Sequence, residues 1–473
     1  MTSRPQPVAP IDLSTPRRLH VVGVGGPGMS AIALALAEMG HAVSGVDMRD
    51  KQVLERLRVA GVRVQIGHAR EHVVGCDAVT FSSAVPADLN ELDEARRLDI
   101  PVLRRAGMLA AICAQAKSLG VAGAHGKTTT SSMLMLILAE AGWRPSFVIG
   151  GDVNDVGTGA QWTGGEWFVV EADESDGTHV ELPLYGTVLT NVDHDHVDAE
   201  WGALATIEDS FDRYLAQIPG PKVVSADDPR AAALAARHDP DTTVTYGLAA
   251  DARYRAVDVA AGQGSFAFSI ERDGALLADI DLPLRGLHNV ANATGAFALA
   301  VEVGVDPVVA ARALAKFGGV ARRFDIRGTH GGATFVDDYA HLPAEIDAVL
   351  HAARQSGDGW QRVVAVFQPN RYNRMAQMWQ EYADAFTAAD VIVLTDIYPS
   401  GTQPIPGVTG RLVVQAVAAA HPGAHLVWLP RRDELVSYLA RTVRAGDVCI
   451  SMGCGDIASL PDEVLAARHG AGA

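Results

Sequence analysis

The chain has 473 residues, of which 48% are hydrophobic and 20% charged, and its formal net charge is −17. This length exceeds one hydrophobic core of usual size and predicts roughly two to four domains. The negative charge argues against nonspecific binding to nucleic acid or to an anionic membrane. No apolar run approaches the ~20 residues that span a bilayer, and the N-terminus lacks a signal-peptide core, so we expect a soluble cytoplasmic protein.

The first predicted unit, residues 1–113, alternates short apolar runs with stretches of helical period. Its apolar residues between Met29 and Met39 fall on one face of a helix. The predicted strands are Leu19–Val24, Ala42–Val46, Ala78–Ser82 and Pro101–Leu103. Strands that alternate with helices predict a parallel, doubly wound sheet.

The second unit, residues 114–317, continues this alternation, with a helix predicted from Thr128 to Glu140. Alternating residues in Arg253–Leu284, with a turn at Asp273-Gly274, predict antiparallel strands beside the parallel sheet. The third unit, residues 318–473, is again α/β. Its predicted strands are Thr334–Val336, Val363–Phe367, Val391–Leu394 and Val448–Ser451.

The four cysteines, Cys76, Cys113, Cys449 and Cys454, are scattered and form no CxxC pair. We therefore expect reduced thiols, and neither a disulfide framework nor a zinc site.

The first chemical motif is Gly23-Val24-Gly25-Gly26-Pro27-Gly28, which lies between a predicted strand and a predicted helix. Asp47 follows about 20 residues later, at the end of the next strand. Glycines allow the backbone to approach a pyrophosphate, and the helix N-terminus supplies amide donors. NAD and any other nucleotide diphosphate satisfy the same physics, so the motif predicts a Rossmann-like fold and leaves the ligand open.

A second motif, Gly123-Ala124-His125-Gly126-Lys127-Thr128-Thr129-Thr130, also joins a strand to a helix. It resembles a P-loop, in which the lysine contacts phosphate oxygens and the following hydroxyl holds Mg²⁺. The strict pattern has glycine where this chain has Val121. The strand–GxxGKT–helix context nevertheless predicts a nucleotide site.

Two clusters of ionisable residues follow strands of the second unit. They are Glu171–Asp176, directly after an apolar run, and Thr190–Asp198, which interleaves histidine and aspartate. The carboxyl ends of parallel strands are where α/β sheets bind ligands, so both clusters suit a divalent cation, Mg²⁺ more than zinc.

Two arginine pairs lie in the third unit. Arg322 and Arg323 stand at its start, and Arg371 and Arg374 follow the strand that ends near Phe367. Such pairs suit bidentate capture of phosphate or carboxylate, although ordinary surface arginines remain an alternative.

Taken in order, eight motifs resemble those of the Mur ligases over essentially the whole chain. They are GVGGPGMS (Gly23–Ser30), HGKTTT (His125–Thr130), EADESD (Glu171–Asp176), TNVDHDHVD (Thr190–Asp198), HNVANA (His288–Ala293), RRFD (Arg322–Asp325), DDYAHLP (Asp337–Pro343) and QPNRYNR (Gln368–Arg374). The resemblance implies three α/β domains: a Rossmann-like UDP-sugar domain, a central P-loop ATPase with a small antiparallel sheet, and a Rossmann-like domain that receives an amino acid.

The resemblance also implies a reaction, in which ATP phosphorylates the lactyl carboxylate of UDP-N-acetylmuramate and the amine of L-alanine attacks the acyl phosphate. It implies catalytic roles for Lys127, Glu171, His196 and Arg323, and Mg²⁺ ligation by Thr128, Glu171 and His196. The implied ATP contacts are Gly123, Ala124, His125, Gly126, Lys127, Thr128, Thr129, Asn289, Asn292, Arg323 and Asp338. The implied UDP-sugar contacts are Gly25, Gly26, Gly28, Asp47, Ser82 and Ser83, and the implied amino-acid contacts are Tyr339, His341, Arg371 and Arg374.

The chain departs from the family pattern at three positions. Leu342 stands where the family commonly has histidine, Asn370 replaces the histidine of QPHR, and Gly159 lies in a stretch that commonly reads GTNA. Leu342 is expected to make the amino-acid pocket less tolerant of polar side chains.

Three alternatives and the assembly state stay open at this stage. A nicotinamide-dependent oxidoreductase would leave HGKTTT and EADESD without a task. A sister ligase that attaches a recycled tripeptide would share the ATPase motifs, and a non-catalytic descendant would not need the full catalytic set. The protein is expected to be a monomer or a homodimer.

Overall fold

A computed structural model describes residues 11–82, 85–86, 88–193 and 204–470. Among the helices in these ranges, none is both long and apolar enough to cross a membrane. The strands form three separate sheets of five, ten and six strands, which follow one another along the chain.

The first sheet has the order β3-β2-β1-β4-β5, and its pairs are all parallel. Helix α1 begins at Pro27, a residue suited to a first helical position because its missing N–H would be unpaired there. The elements are β1 (Arg18–Val22), α1 (Pro27–Glu38), β2 (Ala42–Asp47), α2 (Gln52–Val59), β3 (Arg63–Ile66), β4 (Ala78–Phe81), α3 (Asn90–Arg97), β5 (Val102–Arg104) and α4 (Arg105–Cys113).

The second sheet has the order β15-β14-β13-β12-β11-β10-β6-β9-β7-β8. The buried residues of α8 and of α5 pack against the apolar side chains of this sheet. The elements are β6 (Lys117–Ala122), α5 (Lys127–Glu140), β7 (Ser146–Val153), β8 (Thr158–Gln161), β9 (Trp167–Ala172), β10 (Gly186–Leu189), α6 (Leu204–Gln217), β11 (Lys222–Ser225), α7 (Pro229–Ala235), β12 (Thr243–Gly247), β13 (Tyr254–Ala261), β14 (Phe266–Arg272), β15 (Ala275–Leu282), α8 (Leu287–Glu302) and α9 (Pro307–Leu314).

The third sheet has the order β16-β17-β21-β18-β19-β20, with only the edge strand β16 antiparallel to its neighbour. The elements are β16 (Asp325–His330), β17 (Ala333–Asp338), α10 (Pro343–Gln355), β18 (Arg362–Phe367), α11 (Tyr372–Met378), β19 (Val391–Leu394), α12 (Arg411–Ala420), β20 (Leu426–Trp428), α13 (Arg432–Thr442), β21 (Asp447–Met452) and α14 (Leu460–Gly470).

The predicted class, α/β with three successive sheets, is confirmed. The antiparallel strands β13–β15 do not form a sheet of their own, because β13 pairs in parallel with β12 and so extends the central sheet. Five short strands were missed: β3, β8, β12, β16 and β20. None of them carries a long apolar run, and β3 and β20 are only partly buried.

Candidate functional site

The turn between β6 and α5 has the conformation that a P-loop requires. Gly123 and Gly126 have φ of +129° and +81°, in the region that favours glycine. A Cβ at Gly126 would lie 2.6 Å from Oδ1 of Asn292 on α8. The turn therefore depends on glycine for its shape and for the close approach of α8.

Lys127 is the first residue of α5, and its ammonium group lies inside the turn. Its Nζ donates to the carbonyl of Gly123 at 2.5 Å and to Oε2 of Glu174 at 2.9 Å. Burial alone would lower the pKa of Lys127, but the carboxylates of Glu174 and Asp173 raise it above its ordinary value. The lysine is thus a fixed positive charge, and Glu174 occupies the place beside it.

Glu171 lies at the end of β9, next to β6 in the sheet. The residue is half-buried, and its buried Oε1 has no hydrogen-bond partner within the described residues. Burial raises the pKa of Glu171, although Thr128 and Lys127 act in the opposite direction. An orphaned carboxylate oxygen beside the Thr128 hydroxyl fits a divalent cation, whose charge would offset the cost of burying the carboxylate.

The acidic segment after β9 is tied to the first sheet by Arg105. This arginine, the first residue of α4, donates from Nη2 to Asp173 at 2.9 Å and to Asp176 at 2.8 Å. Burial alone would raise the pKa of Asp173, but Lys127 and Arg105 together hold it well below its usual range. Sequence analysis missed Arg105, because an arginine after a short strand carries no motif of its own.

A cavity of about 290 Å³ opens beside the P-loop, between the second and third sheets. Eight of the eleven predicted ATP contacts line it, namely His125, Gly126, Thr128, Thr129, Asn289, Asn292, Arg323 and Asp338. Gly123, Ala124 and Lys127 lie at its P-loop end but do not line it. Apolar and neutral groups, including Leu284, Phe317, Phe324 and Ala348, form much of the remaining wall.

Two carboxylates of the third sheet's layer face this cavity. Asp338 accepts from the backbone N–H groups of Phe324 and Ala340, both at 2.7 Å, and burial raises its pKa to about 6. Glu345 lies 3.4 Å from Nδ1 of His125 in the P-loop. Although burial raises the pKa of Glu345, His341 and His125 bring it well below its usual range. Sequence analysis missed Glu345, which looks like an ordinary helix-start residue.

The two arginines at the entry to the third sheet have different contacts. Arg322 is held by Asp337 at 3.0 Å and by the carbonyl of Gly453 at 2.6 Å. Arg323 instead reaches the cavity, where its guanidinium lies 5.1 Å from the Tyr339 ring centroid. The Arg322 guanidinium also lies against the Tyr339 ring, 4.9 Å from its centroid, and positive φ at Arg322 and Phe324 marks a strained backbone around the pair.

The glycine motif of the first sheet surrounds Asp47. Oδ2 of Asp47 accepts from the Gly25 N–H at 3.0 Å, and a Cβ at Gly25 would clash with it at 2.6 Å. Lys51 lies 3.4 Å from the same oxygen. Gly26 is the N-cap of α1, Gly28 lies beside Arg105, and Ser82 follows β4. Ser83, like His196, lies outside the described residues.

The four predicted amino-acid contacts follow strands β17 and β18 of the third sheet, and they have different contacts. Tyr339 and His341 form an edge-to-face pair with ring centroids 5.4 Å apart. Arg374 is buried and donates to Oδ1 of Asn370 at 3.0 Å. Arg371 precedes α11 with φ of +61°, and its Nε has no partner within the described residues.

Arg371 and Arg374 share no helix face, because α11 begins at Tyr372 and Arg371 lies outside it. One expectation for this pocket needs correction. Leu342 was expected to line the pocket, yet its side chain is 3% exposed and packs in the apolar core of the third sheet. Its replacement of a polar residue is therefore explained by core packing at the start of α10.

Three family models match the chain in succession, and they correspond to the three sheets. They are the Mur ligase family catalytic domain at residues 18–117, the Mur ligase middle domain at 121–300, and the Mur ligase glutamate ligase domain at 322–455. The chain belongs to the Mur ligase family.

Individual relatives make the likeness more specific. The chain is 41% identical over 454 residues to a UDP-N-acetylmuramate–L-alanine ligase of Anaeromyxobacter sp., covering 96% of this chain and 98% of the relative. It is 39% identical over 460 residues to the enzyme of the same name from Bradyrhizobium sp., covering 95% and 98%. A crystal structure of UDP-N-acetylmuramate-alanine ligase from Thermotoga maritima superposes with a TM-score of 0.82 at 26% identity, covering 96% and 100%.

Proposed function

We propose that this chain is an ATP-dependent ligase that joins L-alanine to the lactyl carboxylate of UDP-N-acetylmuramate, through an acyl phosphate, in peptidoglycan precursor synthesis. The observation that carries the proposal is the cavity between the P-loop and the third sheet, which gathers eight predicted ATP contacts. Relatives that bear the alanine ligase's name and match nearly the whole chain at about 40% identity support the choice of substrates.

ATP fits the cavity by charge and by shape. Its base would lie among Asn289, Asn292 and the apolar wall, and its ribose hydroxyls near Asp338. The phosphates would then reach the N-terminus of α5, where free backbone N–H groups and Lys127 favour anions. In this arrangement the triphosphate takes over the interaction that Lys127 makes with Glu174.

The reaction brings anions together, and the residues near the P-loop reduce that repulsion. Lys127 and Arg323 supply positive charge beside the phosphates. Thr128 and Glu171 would hold one Mg²⁺, and Glu171 with His196 a second, which would neutralise phosphate charge when bound. The fit rests on the orphaned Oε1 of Glu171.

We place the receiving site at the carboxyl edge of the third sheet. The P-loop and the glycine motif lie at the same edge of their own sheets. Arg371 offers a guanidinium with an unpaired Nε, which suits a forked ion pair with the alanine carboxylate. Arg374, by contrast, is already engaged with Asn370 and is buried. We therefore assign carboxylate capture to Arg371 and a supporting role to Arg374.

The direct test is phosphate release from ATP with Mg²⁺ and UDP-N-acetylmuramate, measured across L-alanine, glycine, L-serine and the tripeptide that the sister ligase uses. We expect release with L-alanine, accompanied by a product heavier than the UDP-sugar by one alanine residue. Release that requires the tripeptide would instead assign the chain to the recycling branch. Reactions without UDP-sugar and with excess EDTA serve as controls.

Arg371→Lys should raise the KM for L-alanine by about 5–150-fold, the equivalent of ~1–3 kcal/mol, because an ammonium group cannot present two parallel donors. The KM values for ATP and UDP-N-acetylmuramate should stay within about twofold, since both bind elsewhere. Arg374→Lys is the matched comparison and should affect folding more than the alanine KM. An unchanged alanine KM in Arg371→Lys would show that another group holds the carboxylate.

A further inference from the structure

Beneath the first sheet lies a cluster of three histidines around one glutamate, far from the P-loop in sequence. His20 lies in the middle of β1, His68 precedes the 3-10 turn Arg70–Val73, His72 lies within that turn, and Glu91 lies in the first turn of α3. The Glu91 side chain is fully buried, as is that of His20. None of these residues has a part in the proposed ligase chemistry.

Glu91 is contacted from three sides. Its Oε2 lies 2.6 Å from Nδ1 of His68, and its Oε1 lies 2.6 Å from Nδ1 of His72. The backbone N–H of Ala69 also donates to Oε1, at 3.2 Å. Nε2 of His20 points at the same oxygen from 4.0 Å, too far for a hydrogen bond.

Ser44 holds one side of the His20 ring. Its Oγ lies 2.8 Å from Nδ1 of His20. The other ring nitrogen, Nε2, is directed at the Glu91 carboxylate and has no hydrogen-bond partner within the described residues.

A fully buried carboxylate and a fully buried imidazole nitrogen without a partner therefore face each other across 4.0 Å. A buried polar atom that lacks a hydrogen bond is uncommon, and a cation between the imidazole and the carboxylate would supply the missing interaction.

We propose that His20, His72 and Glu91 form a binding site for a divalent cation of the Zn²⁺ type, with His68 orienting the carboxylate. One ligand atom from each of the three residues lies within 4.8 Å of the others. Tetrahedral Zn²⁺ with bonds of about 2.0 Å needs ligands ~3.3 Å apart, so shifts of under about 1 Å would close the site. Binding at Nδ1 of His72 would require the lone pair of that nitrogen, so the single proton of the neutral ring would then lie on Nε2.

The ligand types and their surroundings favour this cation class. Two imidazoles and a carboxylate suit Zn²⁺ better than Mg²⁺ or Ca²⁺, which prefer oxygen ligands. The bond from Nδ1 of His20 to Ser44 is the kind of supporting contact that fixes a metal-bound imidazole. Sequence analysis judged zinc from cysteine spacing and from local His/Asp clusters, so it could not find ligands spread over residues 20–91.

The consequence of binding would be local rigidity. The apolar cluster on this side of the sheet has six buried members, Val22, Val46, Val73, Val79, Leu92 and Ala95. A metal would fasten α3 and the 3-10 turn to β1 beside this small core. β1 runs directly into the Gly23–Gly28 loop, so the clamp would stiffen the strand that positions the nucleotide-diphosphate motif.

The test uses the full chain, freed of metal with a chelator and then titrated with Zn²⁺ and with Co²⁺. We expect Zn²⁺ to raise the temperature of unfolding, and Co²⁺ to give the visible absorption of a tetrahedral site. His72→Ala should weaken binding by at least about tenfold. Glu171→Gln, which alters the P-loop site, should keep both signals, and so should His351→Ala, at an exposed histidine.

Two outcomes would overturn the proposal. One is a parent chain that shows neither signal, and the other is a His72→Ala variant that keeps both at parental strength. If His72→Ala folds poorly, Glu91→Gln provides the second test. In a metal site this variant should lose the stabilisation by Zn²⁺ that the parent shows. In a cluster that binds no metal, Zn²⁺ should not stabilise the parent either.

Discussion

Lys127→Ala should lower turnover by at least ~10²–10³-fold while leaving the affinity for UDP-N-acetylmuramate nearly unchanged. The lysine is the fixed positive charge of the P-loop, and loss of one such group at a developing charge typically has an effect of this size. The UDP-sugar is expected to bind at Gly25 and Asp47, which belong to a different sheet. Phosphate release and calorimetric titration with the UDP-sugar measure the two quantities.

The variant also removes the ion pair between Lys127 and Glu174, so its folding has to be checked by circular dichroism. Lys117→Ala is the matched control, because Lys117 starts the same strand β6 but pairs with the exposed Glu166. Turnover of Lys127→Ala within threefold of the parent would refute the P-loop assignment.

Glu171→Gln should lower kcat by about 10²-fold or more and raise the Mg²⁺ concentration needed for half-maximal rate. The amide keeps the size of the side chain but is a far weaker ligand for a hard cation. Because burial raises the pKa of Glu171, removing its charge should not destabilise the fold. Rates measured over a Mg²⁺ titration, together with thermal unfolding, test both statements.

Glu166→Gln provides the control for this experiment, since Glu166 stands just before the same strand β9 and is exposed. It should leave both the rate and the Mg²⁺ dependence unchanged. If Glu171→Gln retains the parent's Mg²⁺ dependence, the orphaned oxygen is a feature of folding and not a cation ligand.

Strands made of apolar residues were predicted well from the sequence. The part of the site that lies within a single turn was also predicted well. Val391–Leu394 was predicted to the residue, because four apolar residues bounded by polar ones leave little choice. The P-loop and the Glu171 segment are local motifs at neighbouring strand ends, so their proximity followed from parallel pairing.

Residues that act across sheets were not predictable in this way. Arg105 reaches Asp173 and Asp176 from 68 and 71 residues away, and Glu345 reaches His125 across 220. No periodicity or spacing encodes such contacts, which depend on how separate sheets are placed. The backbone strain at Arg371 was equally hidden, because positive φ at an arginine has no sequence signal.

The cavity beside the P-loop has walls from two independently built sheets, with Thr128 and Asn292 on one side and Asp338 and Glu345 on the other. Any compound that fills it is therefore linked thermodynamically to the integrity of both. At about 100 times its dissociation constant, such a ligand adds ~2.7 kcal/mol to the free energy of unfolding of the state that binds it. The second and third sheets should then unfold in a single transition. A substitution that loosens either wall should weaken the binding of an inhibitor, even where the substituted residue does not contact the inhibitor.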